Sequence, residues 1–320
     1  MDTYKYEPLD LDKPAVRLLR LLRGELGDVV ECDLFQGWID RDDSGMPYDA
    51  LSYTWGGTEK PNTIKVHGTA MHVTANLYSA LQHLRLKDED RILWIDAICI
   101  DQSNVHERRH QVQHMGEIYK GAEHVVVWLG EGDVATDLLM GTMKRLEERL
   151  LEVSGDWRRS AHLWIQPWTD LQSSDERTNT HHRSHLRHGM SSILKRSWFR
   201  RIWVLQEIAH ARVATIICGN KSISARVFAQ IPPLIGLVVD NHCQAILDIM
   251  PGFTCKESWW NEDRSLHKLL MKFGHSEASD KRDIIYALLG ISSDASDSKI
   301  LIPEYTKSVR EVIRDTTSYI

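Results

Sequence analysis

The 320-residue chain predicts an α/β fold: a mostly parallel sheet with flanking helices, N-terminal β-hairpin additions and a mostly helical C-terminal part. Three observations predict it. Short apolar runs alternate with stretches of helical apolar spacing through the middle of the chain, as β-α-β crossovers require. Those runs carry few polar residues, which suits strands covered on both faces. Toward the C-terminus the runs give way to helical spacing.

In chain order, Ala15–Arg23 and Val29–Leu34 read as two strands around a Gly24–Gly27 turn. Tyr48–Tyr53 is a short buried strand that runs into Thr54-Trp55-Gly56-Gly57, a turn where backbone approaches something closely. Thr63–Val66 and Ala70–Val73 flank Gly68 as a hairpin. Leu77, Ala80, Leu81 and Leu84 mark a helix, and Arg91–Asp96 a central parallel strand. A helix from about Val105 to Lys120 carries the stripe Val112, Met115 and Tyr119; the strand His124–Leu129 ends at Gly130. A charged helix covers roughly Val134 to Glu152. Ser154–Gly189, rich in Ser, Thr, Arg and His, reads as an insertion or mobile loop. A helix from about Ser197 to Ala211 precedes the strand Val213–Cys218 and the turn Gly219-Asn220-Lys221. Asp283–Leu289 is helical, and Thr306–Ile320 has helical spacing at Val309, Ile313, Thr316 and Ile320, an apolar ending that suggests a longer parent chain. The chain thus divides into strands at 1–47 packed on a core, a core at 48–220 with an insertion at about 154–189, and a mostly helical part of the same domain at 221–320.

Composition narrows the function. With 42% hydrophobic and 26% charged residues the chain can bury a sizeable core. A net charge of −6 argues against nucleic acid as a main partner. The five cysteines, Cys32, Cys99, Cys218, Cys243 and Cys255, are odd in number and lack CxxC spacing, which points to a reduced compartment. No signal-peptide core or membrane-spanning run is present, so a cytoplasmic location is expected, with a nuclear one open. The eleven tryptophans suit core packing or a stacking surface for a flat ligand.

Several segments together resemble the heterokaryon-incompatibility (HET) domain family of filamentous fungi. They are Tyr48-Asp49-Ala50-Leu51-Ser52-Tyr53-Thr54-Trp55-Gly56, Leu93 to Gln102 (LWIDAICIDQ), Glu107-Arg108, Tyr119, Val125–Gly130, Trp203 to Glu207 (WVLQE) and Asp280–Gly290. Order and spacing fit over roughly residues 15 to 315. Asp101 departs from the Asn that the family often carries there. The resemblance implies a role in nonself recognition and programmed cell death. A more distant resemblance covers about residues 48 to 218: the core is similar to TIR domains, flavodoxin-like folds of innate immunity, some of which hydrolyse NAD+. Trp203-Val204-Leu205-Gln206-Glu207-Ile208 resembles the helical segment that bears their catalytic glutamate.

The residues are compatible with that chemistry. Glu207 is the candidate catalytic carboxylate; Trp203 and Glu207 are four apart and so share a helix face with His210. Ser52, Tyr53, Trp55, Gly56, Gly57, Asp96, Asp101 and Trp203 are candidate substrate-binding residues, because strand carboxyl ends hold ligands in such sheets. Cleaving nicotinamide from NAD+ builds positive charge on the ribose, which one carboxylate can stabilise while the base leaves neutral. Trp203 or Trp55 would stack on a ring, and the Gly56-Gly57 amides with Arg91 or Arg201 would hold the pyrophosphate. This reading expects Glu207 to be accessible in a cleft with Ser52–Gly57 and Asp96; a Glu207 buried in an ion pair or pointing away from those loops would favour the non-catalytic module. NAD+ enters as substrate, and no cofactor, metal, membrane or nucleic acid is expected; His181, His182, His185 and His188 read as solvated. A homo-oligomer is expected on activation, downstream of an unknown nonself-recognition partner. The structural alternative pairs Glu207 with Arg201 or Arg212 at the surface, makes Asp96 a strand-end carboxylate, and leaves a non-catalytic module that signals by self-assembly. A nuclease or another nucleotide-processing enzyme is the third option.

Overall fold

The computed structural model describes residues 3–39, 46–152, 162–173, 179–252, 258–295 and 301–320. Its strands are β1 (Ala15–Leu21), β2 (Glu31–Trp38), β3 (Asp49–Tyr53), β4 (Asn62–Val66), β5 (Thr69–Val73), β6 (Arg91–Trp94), β7 (His124–Trp128), β8 (Ala214–Cys218) and β9 (Lys221–Ser224). They form one sheet in the order β5-β4-β2-β1-β6-β3-β7-β8-β9.

This sheet is mixed, which corrects the expectation of a mostly parallel one. β6, β3, β7 and β8 are mutually parallel. Each is reached by a crossover long enough to return the chain to the same end of the sheet. β1–β2, β4–β5 and β8–β9 are antiparallel hairpins, and β1 joins β6 antiparallel. Within the parallel block the chain places β6 on one side of β3 and then β7 on the other. Ala50, Leu51 and Tyr53 of β3 and Val125, Val126 and Val127 of β7 are all buried, as apolar central strands must be.

The helices are α1 (Ala75–Leu84), α2 (Asp96–Cys99), α3 (Val105–Gly121), α4 (Val134–Glu152), α5 (His162–Ser173), α6 (Asn179–Leu194), α7 (Val204–Ala209), α8 (Ala225–Ile235), α9 (Asn241–Ile249), α10 (Leu266–Phe273), α11 (Asp283–Leu289) and α12 (Val309–Tyr319). Side-chain caps start several of them. Thr74 accepts from the Leu77 amide, and Asn104 accepts from His106 and Glu107. Among the described residues, no helix is long and apolar enough to cross a membrane.

Four expectations are revised. The described part of Ser154–Gly189 is helical: α5 and the first turns of α6 occupy it, and Leu186, Met190 and Ile193 anchor α6 in the core. Ser197–Ala211 is not one helix but a 3₁₀ turn at Ser197–Arg200 followed by α7. Between them the backbone bonds sideways, Ile202 N donating to Glu277 O at 3.0 Å and Glu277 N to Arg200 O at 2.7 Å. Lys221 opens a ninth strand rather than closing a turn. In α12 the buried positions are Val312 and Thr316, while Val309, Ile313 and Ile320 face out.

The core is continuous from β5 to α12, and it absorbs Trp94, Trp128, Trp164 and Trp198 completely. Cys32, Cys99, Cys218 and Cys243 are buried free thiols; Cys255 lies outside the described residues.

Candidate functional site

A cleft of about 730 Å³ opens at the carboxyl ends of the adjacent parallel strands β3 and β6. Thr54 to Thr58 form one side as the chain leaves β3. Gly56 and Gly57 have φ of 77° and 117°, a left-handed backbone that side-chain-bearing residues rarely adopt. Asp96, at the end of β6, lies on the floor with Arg201. Arg108 and Met115 of α3 contribute, and Trp203, Asp283 and Tyr305 complete the far wall. The crevice between β3 and β7, the other side of the point where the strand order reverses, is filled instead. Asn76 donates to the Thr54 carbonyl at 2.6 Å and accepts from the Trp128 indole at 3.0 Å there.

Asp96 accepts from the Trp55 indole at 2.9 Å and from the Ala97 amide at 2.7 Å. Burial raises its pKa against the opposing pull of Arg201. Trp55 itself is 37% exposed, so part of it remains open to a ligand.

Behind this floor lies a second carboxylate. Glu207 is only 2% exposed. It accepts a hydrogen bond from the Ser52 hydroxyl, and Ser52 in turn accepts from the Trp198 indole at 2.8 Å. Loss of solvent pushes the Glu207 pKa up to about 7, opposed by Arg201 and by the Ser52 bond, with Asp96 adding to the rise. Arg201 donates to the Tyr53 carbonyl. Burial works against its charge, but Glu207 and Asp96 outweigh that and raise its pKa. The Tyr53 hydroxyl is buried beside Asp96 without a hydrogen bond of ordinary geometry, and its pKa is driven well above the usual tyrosine range by burial.

Trp55, Gly56, Gly57, Asp96 and Trp203 therefore line the cleft, whereas Ser52, Tyr53 and Glu207 lie beneath it. The expectation of an accessible Glu207 is corrected: its neighbours are Ser52 and Arg201 rather than solvent. Asp101 does not line the cleft; it accepts from the amide and hydroxyl of Ser103 at 3.0 and 2.6 Å and so shapes the turn before α3. Trp203 and Glu207 take different partners: the Trp203 indole donates to Asp283 at 3.1 Å, whereas Glu207 accepts from Ser52. Arg91 is held by Asp49 at the opposite end of the strands and plays no part here.

The charged knot Asp280-Arg282-Asp283 reads from the sequence as capping and an internal salt bridge, with Arg282 shaping the cleft as the alternative; the bridge is present, but the wall that Asp283 forms with Tyr305 was missed. Asp283 accepts from the Tyr305 hydroxyl at 2.7 Å, and Arg282 grips Asp280 at 2.9 and 2.5 Å while donating to the Tyr305 and Lys307 carbonyls. The Asp280-Arg282-Asp283 cluster was the available signal, since three charges so close before an apolar helix need partners. Tyr305 carried no such signal.

A sequence model of the family described as Heterokaryon incompatibility protein (HET) matches residues 48–207, half of the chain. The chain belongs to this HET family. It is 25% identical to the heterokaryon incompatibility protein 6, OR allele, of Neurospora crassa over 95% of its own length and 51% of that protein's. It is 29% identical to the vegetative incompatibility protein HET-E-1 of Podospora anserina over 31% of its length and 8% of that protein's. The chain thus spans about half or less of the length of these relatives. No solved structure matches it. The HET segment supplies the floor of the cleft and the Ser52–Glu207 pair, while Asp283 and Tyr305 lie beyond it.

Proposed function

We propose that this HET chain is a cell-death effector of fungal heterokaryon incompatibility whose TIR-like core binds NAD+ in the cleft and cleaves its nicotinamide–ribose bond. The observation that carries the reading is a pair of carboxylates acting on one guanidinium, Arg201: Asp96 on the floor of a cleft with indole walls, and Glu207 behind that floor. The names of the relatives support the incompatibility role. The placement of β6 and β7 on either side of β3 supports the TIR-like reading, since flavodoxin-like sheets grow that way.

In this scheme Trp55 and Trp203 stack on ring systems, and Asp96 faces the ribose. The carbon–nitrogen bond to nicotinamide breaks, and its electron pair leaves with the neutral base. A carboxylate stabilises the positive ribose that remains, and water adds to the anomeric carbon while giving up a proton. Glu207 is that carboxylate once it exchanges its Ser52 bond for the ligand. The short, interrupted stretch from Ser197 to Ala209 is the element that moves to permit this. The arrangement described is then a resting one, and homo-oligomerisation in the cytoplasm after a nonself signal is the event that reorganises it.

The burial of Glu207 favours a second reading, a non-catalytic module that signals by self-assembly. Chromatography of NAD+ incubated with concentrated wild type, Glu207→Gln and Asp96→Asn separates the two. Cleavage by wild type, lost in Glu207→Gln and reduced in Asp96→Asn with folding intact, supports the enzyme. Assembly without cleavage supports the module.

A further inference from the structure

Arg108 is a cleft cation with no close ion pair among the described residues, although its charge acts at longer range on Asp280 and Asp283. It follows Glu107 on α3. The Glu107 side chain turns inward to a buried Arg17, while Arg108 faces the cleft. The Arg108 guanidinium carbon stands 4.4 Å from the centroid of the Tyr305 ring. Its Nε is buried and has no hydrogen-bond partner among the described residues. Nearby cations differ: Arg282 holds Asp280, Arg109 holds Glu304, and Arg201 donates to the Tyr53 carbonyl.

The carboxylates on the same wall are engaged elsewhere. Asp280 accepts two bonds from the Arg282 side chain, Asp283 accepts from Tyr305 and Trp203, and Asp96 accepts from Trp55. A guanidinium with one donor, Nε, drawn out of water thus stands over an aromatic ring beside an open cleft. Buried donors are rarely left without an acceptor. A guanidinium stacked on an aromatic ring is already oriented for a two-pronged bond, and phosphate is the ligand group that such a fork fits best in a cleft walled for flat rings.

We propose that Arg108 anchors a phosphate of the nucleotide that binds this cleft. The inference rests on the reading of the cleft as a dinucleotide site, and it assigns Arg108 a binding role independent of cleavage. The test is calorimetric titration of the whole chain with ADP-ribose, which carries the phosphates of NAD+ but no nicotinamide bond, and with adenosine, which carries neither. Arg108→Gln is expected to weaken ADP-ribose by at least about tenfold, to leave adenosine unchanged and to melt like wild type. Arg108→Lys, which keeps the charge and loses the fork, is expected to fall between. Wild-type affinity for ADP-ribose in Arg108→Gln overturns the proposal, as does an equal loss for adenosine or an absence of ADP-ribose binding by wild type. NAD+ cleavage with an unchanged KM in Arg108→Gln would overturn this inference and leave the enzymatic reading standing. Phosphate-dependent binding without cleavage would do the reverse.

Discussion

At the scale of single residues, the two buried carboxylates have opposite consequences. Glu207 carries a pKa raised to about 7 by burial. The folded protein therefore keeps a proton on it that the unfolded chain, with an ordinary glutamate, gives up from about pH 4.5. Between those values the folded state binds more protons, so stability falls as pH rises through the window and levels off above it. Glu207→Gln removes that slope. Denaturant midpoints should show the variant gaining on wild type by on the order of 3 kcal/mol between about pH 5 and pH 8. A constant difference would place the titration elsewhere. Glu107 is 2% exposed and ion-paired to an equally buried Arg17, and it accepts from the Asp101 amide at 2.7 Å. Glu107→Ala strands the Arg17 charge and should cost about 3–5 kcal/mol by urea unfolding. Replacing both partners with apolar residues of similar size should recover much of that loss.

At the scale of elements, the contact of α6 with α4 hinges on one position. A Cβ built on Gly189 would stand 2.5 Å from the Ala135 carbonyl oxygen, so only glycine lets the helices approach this closely. Gly189→Ala should lower stability by about 1–3 kcal/mol, read as a drop in Tm, despite the better helix propensity of alanine. The same element shows what the sequence could not reveal. β3, β6 and β7 were legible because strands buried on both faces become unbroken apolar runs. α6 was obscured because its buried positions Leu186, Met190 and Ile193 sit among the polar residues of its outer face. The break between Arg200 and Val204 was illegible for another reason: it is made by a backbone bridge to Glu277, and local spacing carries no trace of a distant partner. The candidate site divides likewise. Trp55, Gly56, Gly57 and Asp96 follow from strand ends, whereas the burial of Glu207 depends on how α7 docks against β3.

At the scale of the whole molecule, the HET segment shares its sheet with strands that flank it in sequence. β1 pairs with β6 on one side of the parallel block, and β8 with β7 on the other, and both strands lie outside residues 48–207. A fragment of residues 48–207 would expose two apolar edges and lose the Asp283–Tyr305 wall of the cleft. It should show no cooperative melt by circular dichroism, in contrast to the full chain; a cooperative melt would show that the flanking strands are dispensable. The central claim is that the carboxylate behind the cleft floor drives cleavage of a bound dinucleotide. The most direct measurement is the pH profile of nicotinamide release by the concentrated full chain. Release should rise with pH as Glu207 ionises and be absent in Glu207→Gln. No release at any pH, or a profile that Glu207→Gln leaves unchanged, would contradict it.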